Sequence, residues 1–160
     1  MGSGIGAASV AWGPDPLALV RSLVGDPAAE IAHACPRCGS AAHGRPFVAG
    51  SPVPISISYA DGLAIVAAAP GARAVGIDIE RADDTRAAEL GPLFAPEDPP
   101  SIRDWTRIEA AVKADGRGLR ISPAAVVLSP GRAELPGGVE LALADAPGPD
   151  GYVASLALLR

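Results

Sequence analysis

The sequence predicts an α+β fold. Candidate strands follow one another directly through the middle of the chain. One long stretch has helical spacing. Nineteen Gly and 17 Pro in 160 residues cut the rest into short elements. Strands in succession favour α+β over a regular βαβ winding.

Residues 1–7 read as a tail, and SVAWG (9–13) as a short strand. Asp15 is placed to cap a helix that begins at Pro16, since Pro suits the first turn, and ends at Gly25. Residues 26–34 read as a second short helix, and 35–54 as a loop-rich connector. ISISY (55–59) and LAIVAAAP (63–70) are strands joined by the turn pair Asp61-Gly62. AVGIDIE (74–80) is expected to join the same sheet. A helix is expected over 85–94. A longer one over 101–115 has Ser101 as N-cap and Ile102, Trp105, Ile108 or Glu109, and Val112 at three- and four-residue spacing. AAVVLS (124–129), GVELALA (138–144) and YVASLALLR (152–160) close the chain as strands.

At 49% hydrophobic and 19% charged the chain is globular, and with 4% aromatics its core falls to Ala, Val, Leu and Ile. The net charge of −5 argues against broad nucleic-acid binding, which needs a basic face. No apolar run reaches the ~18 residues of a membrane span. The N-terminus lacks the pattern of a signal peptide, so the expected location is the cytoplasm.

The apolar strand AVGIDIE carries Asp78 and Glu80 two residues apart, so both lie on one face. Two such carboxylates repel unless solvent, a cation or a base separates them. Glu109 and Lys113, four apart on the long helix, share a face in the favourable order. Alone they read as a surface ion pair worth ~0.3–0.5 kcal/mol. Asp78 and Glu80 alone read as the polar end of an edge strand.

Taken together, VGIDIE and WTRIEAAVKADGRGL (105–119) resemble the 4′-phosphopantetheinyl transferases that modify carrier domains of polyketide and nonribosomal peptide synthetases. CPRCGSAAHGRPFV resembles the family's run ending in a Gly-basic-Pro turn. SISYADGLAIVAAAP is similar to its Ser-x-Ser-His segment, and LFAPED to the piece between the acidic motifs. The pieces stand in family order over roughly 35–160. The resemblance implies one domain of two similar α/β lobes, a shortened N-terminal lobe at about 1–73 and a C-terminal lobe at 74–160, with the site between them. It implies transfer of the phosphopantetheine arm of coenzyme A to a serine of an acyl or peptidyl carrier protein by a monomer. Asp78, Glu80 and Glu109 would hold Mg²⁺, an ion that favours carboxylates, phosphates and water. Glu109 would deprotonate the carrier serine. Lys113 would contact the pyrophosphate and protonate the leaving phosphate. Arg45 and Pro46, with Gly44, would cradle the adenosine end of coenzyme A, and Ser58 and Tyr59 would line its site.

The chain departs from the family pattern at three places. Tyr59 stands where the family has a histidine that reaches a coenzyme A phosphate. Ile108 stands where it usually has lysine. The region before Cys35 lacks the family's basic helix. These departures carry the alternative, an impaired homologue that binds coenzyme A or a carrier protein without turnover.

Other motifs weigh less. Cys35, Cys38, His33 and His43 have partial zinc spacing, but a second Cys pair is missing, and a loop with two reduced thiols is favoured. GSGIGA (2–7) matches a dinucleotide fingerprint without the strand that must precede it. Trp105 reads as core, and Arg117 as structural or carrier-facing.

Overall fold

The computed structural model describes residues 8–160; the tail at 1–7 and its glycine fingerprint lie outside the described residues. The elements run β1 (Ser9–Gly13), α1 (Pro16–Val24), β2 (Ile31–Ala34), β3 (Arg45–Val48), β4 (Ile55–Ala60), β5 (Leu63–Ala68), β6 (Ala74–Arg81), α2 (Arg86–Glu89), α3 (Gly91–Phe94), α4 (Ile102–Asp115), β7 (Val127–Ser129), β8 (Arg132–Leu135), β9 (Val139–Asp145) and β10 (Tyr152–Leu159). The chain is thus mixed α and β, and its strands pair antiparallel.

Local chemistry sets the element ends. The Asp15 carboxylate accepts from the N–H groups of Leu17 and Ala18, and Gly25 ends α1 in the left-handed region. Ser101 accepts from the Asp104 N–H to start α4, and Gly116 ends it at φ 85°. The β4–β5 hairpin turns on Asp61 and Gly62, both at positive φ, which matches the twist of the strands.

Three strands in the order β1-β5-β4 form one sheet, and five in the order β6-β10-β9-β8-β7 form another. The first comes wholly from residues before 73, the second wholly from residues after. Side-chain alternation divides the core into three layers. Val66 and Ala68 pack with Ile55 and Val20 beneath α1. Ile65 and Ala67 face Val75, Ile77, Ile79 and Leu156 of the second sheet. The far face of that sheet packs on Ile108, Ala111 and Ala114 of α4. The order is therefore helix, sheet, sheet, helix, and each buried Ile or Leu contributes ~1.5–3 kcal/mol.

Several expectations need correction. Residues 26–34 are not a helix. Asp26 accepts from the Ala28 N–H in a tight turn, and 31–34 pair with β3, a strand inside the expected connector. Pairing overrides the helix preference of Ala and Glu there. β6 does not join the sheet of β4 and β5; it is the edge of the five-stranded sheet. The expected helix over 85–94 is two short helices. The expected strand over 124–129 shortens to β7, because residues 123–125 form a 3₁₀ turn. β8, absent from the sequence reading, fills the gap between β7 and β9. Among the described residues no helix is long and apolar enough to cross a membrane.

Candidate functional site

The site begins with a glycine. Gly76 lies on the α4 side of β6, where a Cβ would fall 1.9 Å from the Ala110 carbonyl oxygen and 2.6 Å from the Ala114 nitrogen. Only a bare backbone lets helix and strand come this close. Asp78 and Glu80 follow on the same face. Glu109 and Lys113 come down on α4 above them. A second anchor is the bond of 2.7 Å between the fully buried hydroxyls of Thr106 and Ser155.

Asp78 is 4% exposed. Its Oδ1 accepts from Lys113 Nζ at 2.6 Å and from Ser58 Oγ at 2.9 Å. Lys113 Nζ also donates to Ser58 Oγ and to the Ile77 carbonyl, both at 3.2 Å. The N–H of the same Ile77 donates to Ser56 Oγ at 3.1 Å. The Ser56 hydroxyl of β4 and the lysine of α4 thus satisfy Ile77 on the open edge of β6. Asp78 Oδ2 is buried and has no hydrogen-bond partner. An orphaned carboxylate oxygen in low dielectric is costly, and it is the feature of this site that calls for a ligand.

Glu80 and Glu109 border a hollow of about 320 Å³, with Arg86 and Glu89 on its wall and Leu90, Ile102 and Trp105 as its apolar side. Arg86 reaches Glu80 at 2.7 Å. Burial, and then the Asp78 charge, raise the Glu109 carboxyl above the ordinary glutamate range, with Lys113 opposing. Burial first and Asp78 second raise Glu80 too, against Arg86 and Lys113. Three carboxylates against one guanidinium make the hollow attractive to cations.

Comparison of the sequence with known families finds no family model that matches, and none of the curated proteins matches it.

The remaining predicted residues fall around this centre. Arg45, on β3, donates to the Ala114 carbonyl at 3.4 Å, beside the end of α4. Its burial lowers the guanidinium from its ordinary value, with Asp115 opposing. Pro46 follows on the opposite face of β3 and pairs with His33. Ser58 belongs to the Asp78 cluster. Tyr59 alternates to the other face of β4 and is 63% exposed. Ile108 is 3% exposed and sits in the α4 core, so this position points away from the hollow and a lysine there would be buried. The expected loss of a cation at that position therefore costs the hollow nothing. Trp105 packs edge-on against Phe94 and also lines the hollow. Arg117 holds Asp115 and the Pro136 carbonyl, which fits the structural reading.

Arg86 and Glu89 escaped the sequence reading. Asp84 accepts from the Arg86 backbone N–H at 2.7 Å and fixes where that side chain starts. The short Asp84–Arg86 spacing was the available signal.

Cys35, Cys38 and His43 converge, with ligand atoms all within 4.8 Å of one another; no acid trio among the described residues gathers so closely. Hydrogen bonds from the backbone N–H groups of Cys38 and Arg37 hold the Cys35 thiol below its ordinary range.

Proposed function

We propose that this chain is a phosphopantetheinyl transferase that moves the 4′-phosphopantetheine arm of coenzyme A to a serine of an acyl or peptidyl carrier protein. The observation that carries the reading is the orphaned Asp78 Oδ2, on the same strand face as Glu80 and beneath Glu109. The donor chemistry suits Mg²⁺, and burial together with the Asp78 charge raises Glu80 and Glu109 in a way a divalent cation would relieve, but the three carboxylates stand farther apart than the thiol–imidazole cluster and would have to draw together around one ion. Asp78, Glu80 and Glu109 would hold it, and when bound it would neutralise charge on the pyrophosphate.

The chain's own groups then have distinct tasks. Glu109, with its raised pKa, takes the proton of the carrier serine. The serine oxygen forms a bond to the β-phosphorus, and the bond from that phosphorus to the bridging oxygen breaks. Adenosine 3′,5′-bisphosphate leaves. Lys113 neutralises the charge on that leaving group and supplies a proton to it. Lys113 must yield part of its hold on Asp78 to do so. Arg45, beside the end of α4, would meet the adenosine end, and Ser58 would act through Asp78 and Lys113; Pro46 and Tyr59 alternate to other faces of their strands and take no part. The layered arrangement supports two α/β lobes, divided near residue 73, each sheet with one long helix on its outer face. The reaction suits a cytoplasmic monomer, with coenzyme A and reduced thiols at hand.

One observation favours a second reading. Lys113 already pairs with Asp78 and Arg86 with Glu80, so two of the three acids have a cationic partner without an ion. An impaired homologue that binds coenzyme A or a carrier would look like this. Incubation with Mg²⁺, coenzyme A and a panel of apo carrier proteins, followed by intact-mass measurement of the carriers, separates the two. Transfer of the arm supports the first. Intact coenzyme A binding with no mass gain on any carrier supports the second.

A further inference from the structure

We propose that Cys35, Cys38 and His43 bind one Zn²⁺ ion, and that loading this site fixes the loop that carries Arg45. Two thiolates and an imidazole suit zinc and are poor ligands for Mg²⁺ or Ca²⁺, which take oxygen. Tetrahedral zinc, with bonds of about 2.3 Å to sulfur and 2.0–2.1 Å to nitrogen, sets its S and N ligands roughly 3.5 Å apart. Cys38 Sγ and His43 Nε2 stand 3.4 Å apart. His33, two residues before Cys35, is not in this group, so the protein supplies three ligands and the fourth position opens to solvent.

The backbone is already shaped for the ion. The Gly39 N–H donates to the Cys35 carbonyl at 2.8 Å, and the Cys35 N–H to the Ser40 carbonyl at 3.0 Å. Gly39, at φ 69°, turns the chain back after Cys38. At the far end Gly44 crosses the end of β2 so closely that a Cβ would meet the Ala34 carbonyl oxygen at 2.4 Å. Arg45 follows at once. An ion on Cys35, Cys38 and His43 therefore clamps both ends of the 35–44 loop and stiffens the entry to β3. A Cys35–Cys38 disulfide would close a ring of only four residues and would leave His43 unused.

The test uses the reduced full chain, stripped with chelator and titrated with Co²⁺ and then Zn²⁺. The site predicts one Co²⁺ per chain, a thiolate-to-cobalt charge-transfer band, and the intense visible bands of four-coordinate cobalt, all displaced by Zn²⁺. Cys35→Ser/Cys38→Ser loses the charge-transfer band, and His43→Ala loses the four-coordinate visible pattern, with far-UV circular dichroism unchanged. Zn²⁺ slows hydrogen exchange of the amides at 35–45 in the wild type and not in the double variant. A reduced wild type without the charge-transfer band overturns the site, as do variants that bind as the wild type does. Exchange at 35–45 that ignores Zn²⁺ overturns the clamp. None of these readouts depends on the transferase reaction.

Discussion

Lys113 Nζ lies 2.6 Å from Asp78 Oδ1, and the same ammonium reaches the Ile77 carbonyl on the open edge of β6. One side chain thus neutralises a buried carboxylate and closes a strand edge. Removing it leaves Asp78 charged and buried with only Ser58 as donor. Lys113→Met should cost about 1–3 kcal/mol of stability, less than a fully buried pair because Lys113 is partly exposed. Asp78→Asn in the same chain should restore part of that. Urea unfolding of the two single variants and the double variant measures the coupling.

Gly76→Ala should destabilise by about 3 kcal/mol or more, because the new methyl group meets helix backbone that has no rotamer to change. Thermal unfolding of this variant beside Gly91→Ala, where a Cβ meets nothing, gives the comparison.

The pH dependence has a definite sign. Glu80 and Glu109 hold their protons more tightly in the folded state than in the unfolded chain. Their stabilising contribution is complete below the ordinary glutamate pKa of about 4.3 and is lost as pH rises through the raised folded values. Glu109→Gln should therefore be more stable than wild type above that window, and the difference should shrink at acid pH. Denaturant midpoints across pH give the result.

Ser56→Ala should cost about 1 kcal/mol, because the buried Ile77 N–H loses its acceptor. Chemical denaturation of the variant checks this, with a marked rise in hydrogen exchange expected at the Ile77 amide.

Much of the fold was legible where local chemistry and burial agree. Asp15, Gly25 and Ser101 marked helix ends by caps, and Asp61-Gly62 marked a hairpin. Where a segment takes its structure from a distant partner, the sequence misled. IAHA (31–34) is a strand because RPFV lies beside it. RAEL (132–135) alternates buried and exposed residues, but over four residues that pattern is too short to read. The same division holds at the site. Asp78 and Glu80 on one face, and Glu109 with Lys113, follow from periodicity. The Lys113–Asp78 contact and the turn of Ile108 into the core depend on how α4 rotates over Gly76, which no local spacing encodes. Arg86 in the hollow is likewise a product of packing.

The central claim is that Asp78, Glu80 and Glu109 share one divalent cation. Side-chain carboxyl carbons labelled with ¹³C, titrated with substoichiometric Mn²⁺ in the presence of coenzyme A, test it directly. The account predicts selective broadening of all three signals, reversed by excess Mg²⁺. Sharp Asp78 and Glu109 signals, with broadening scattered over exposed acids, would contradict it.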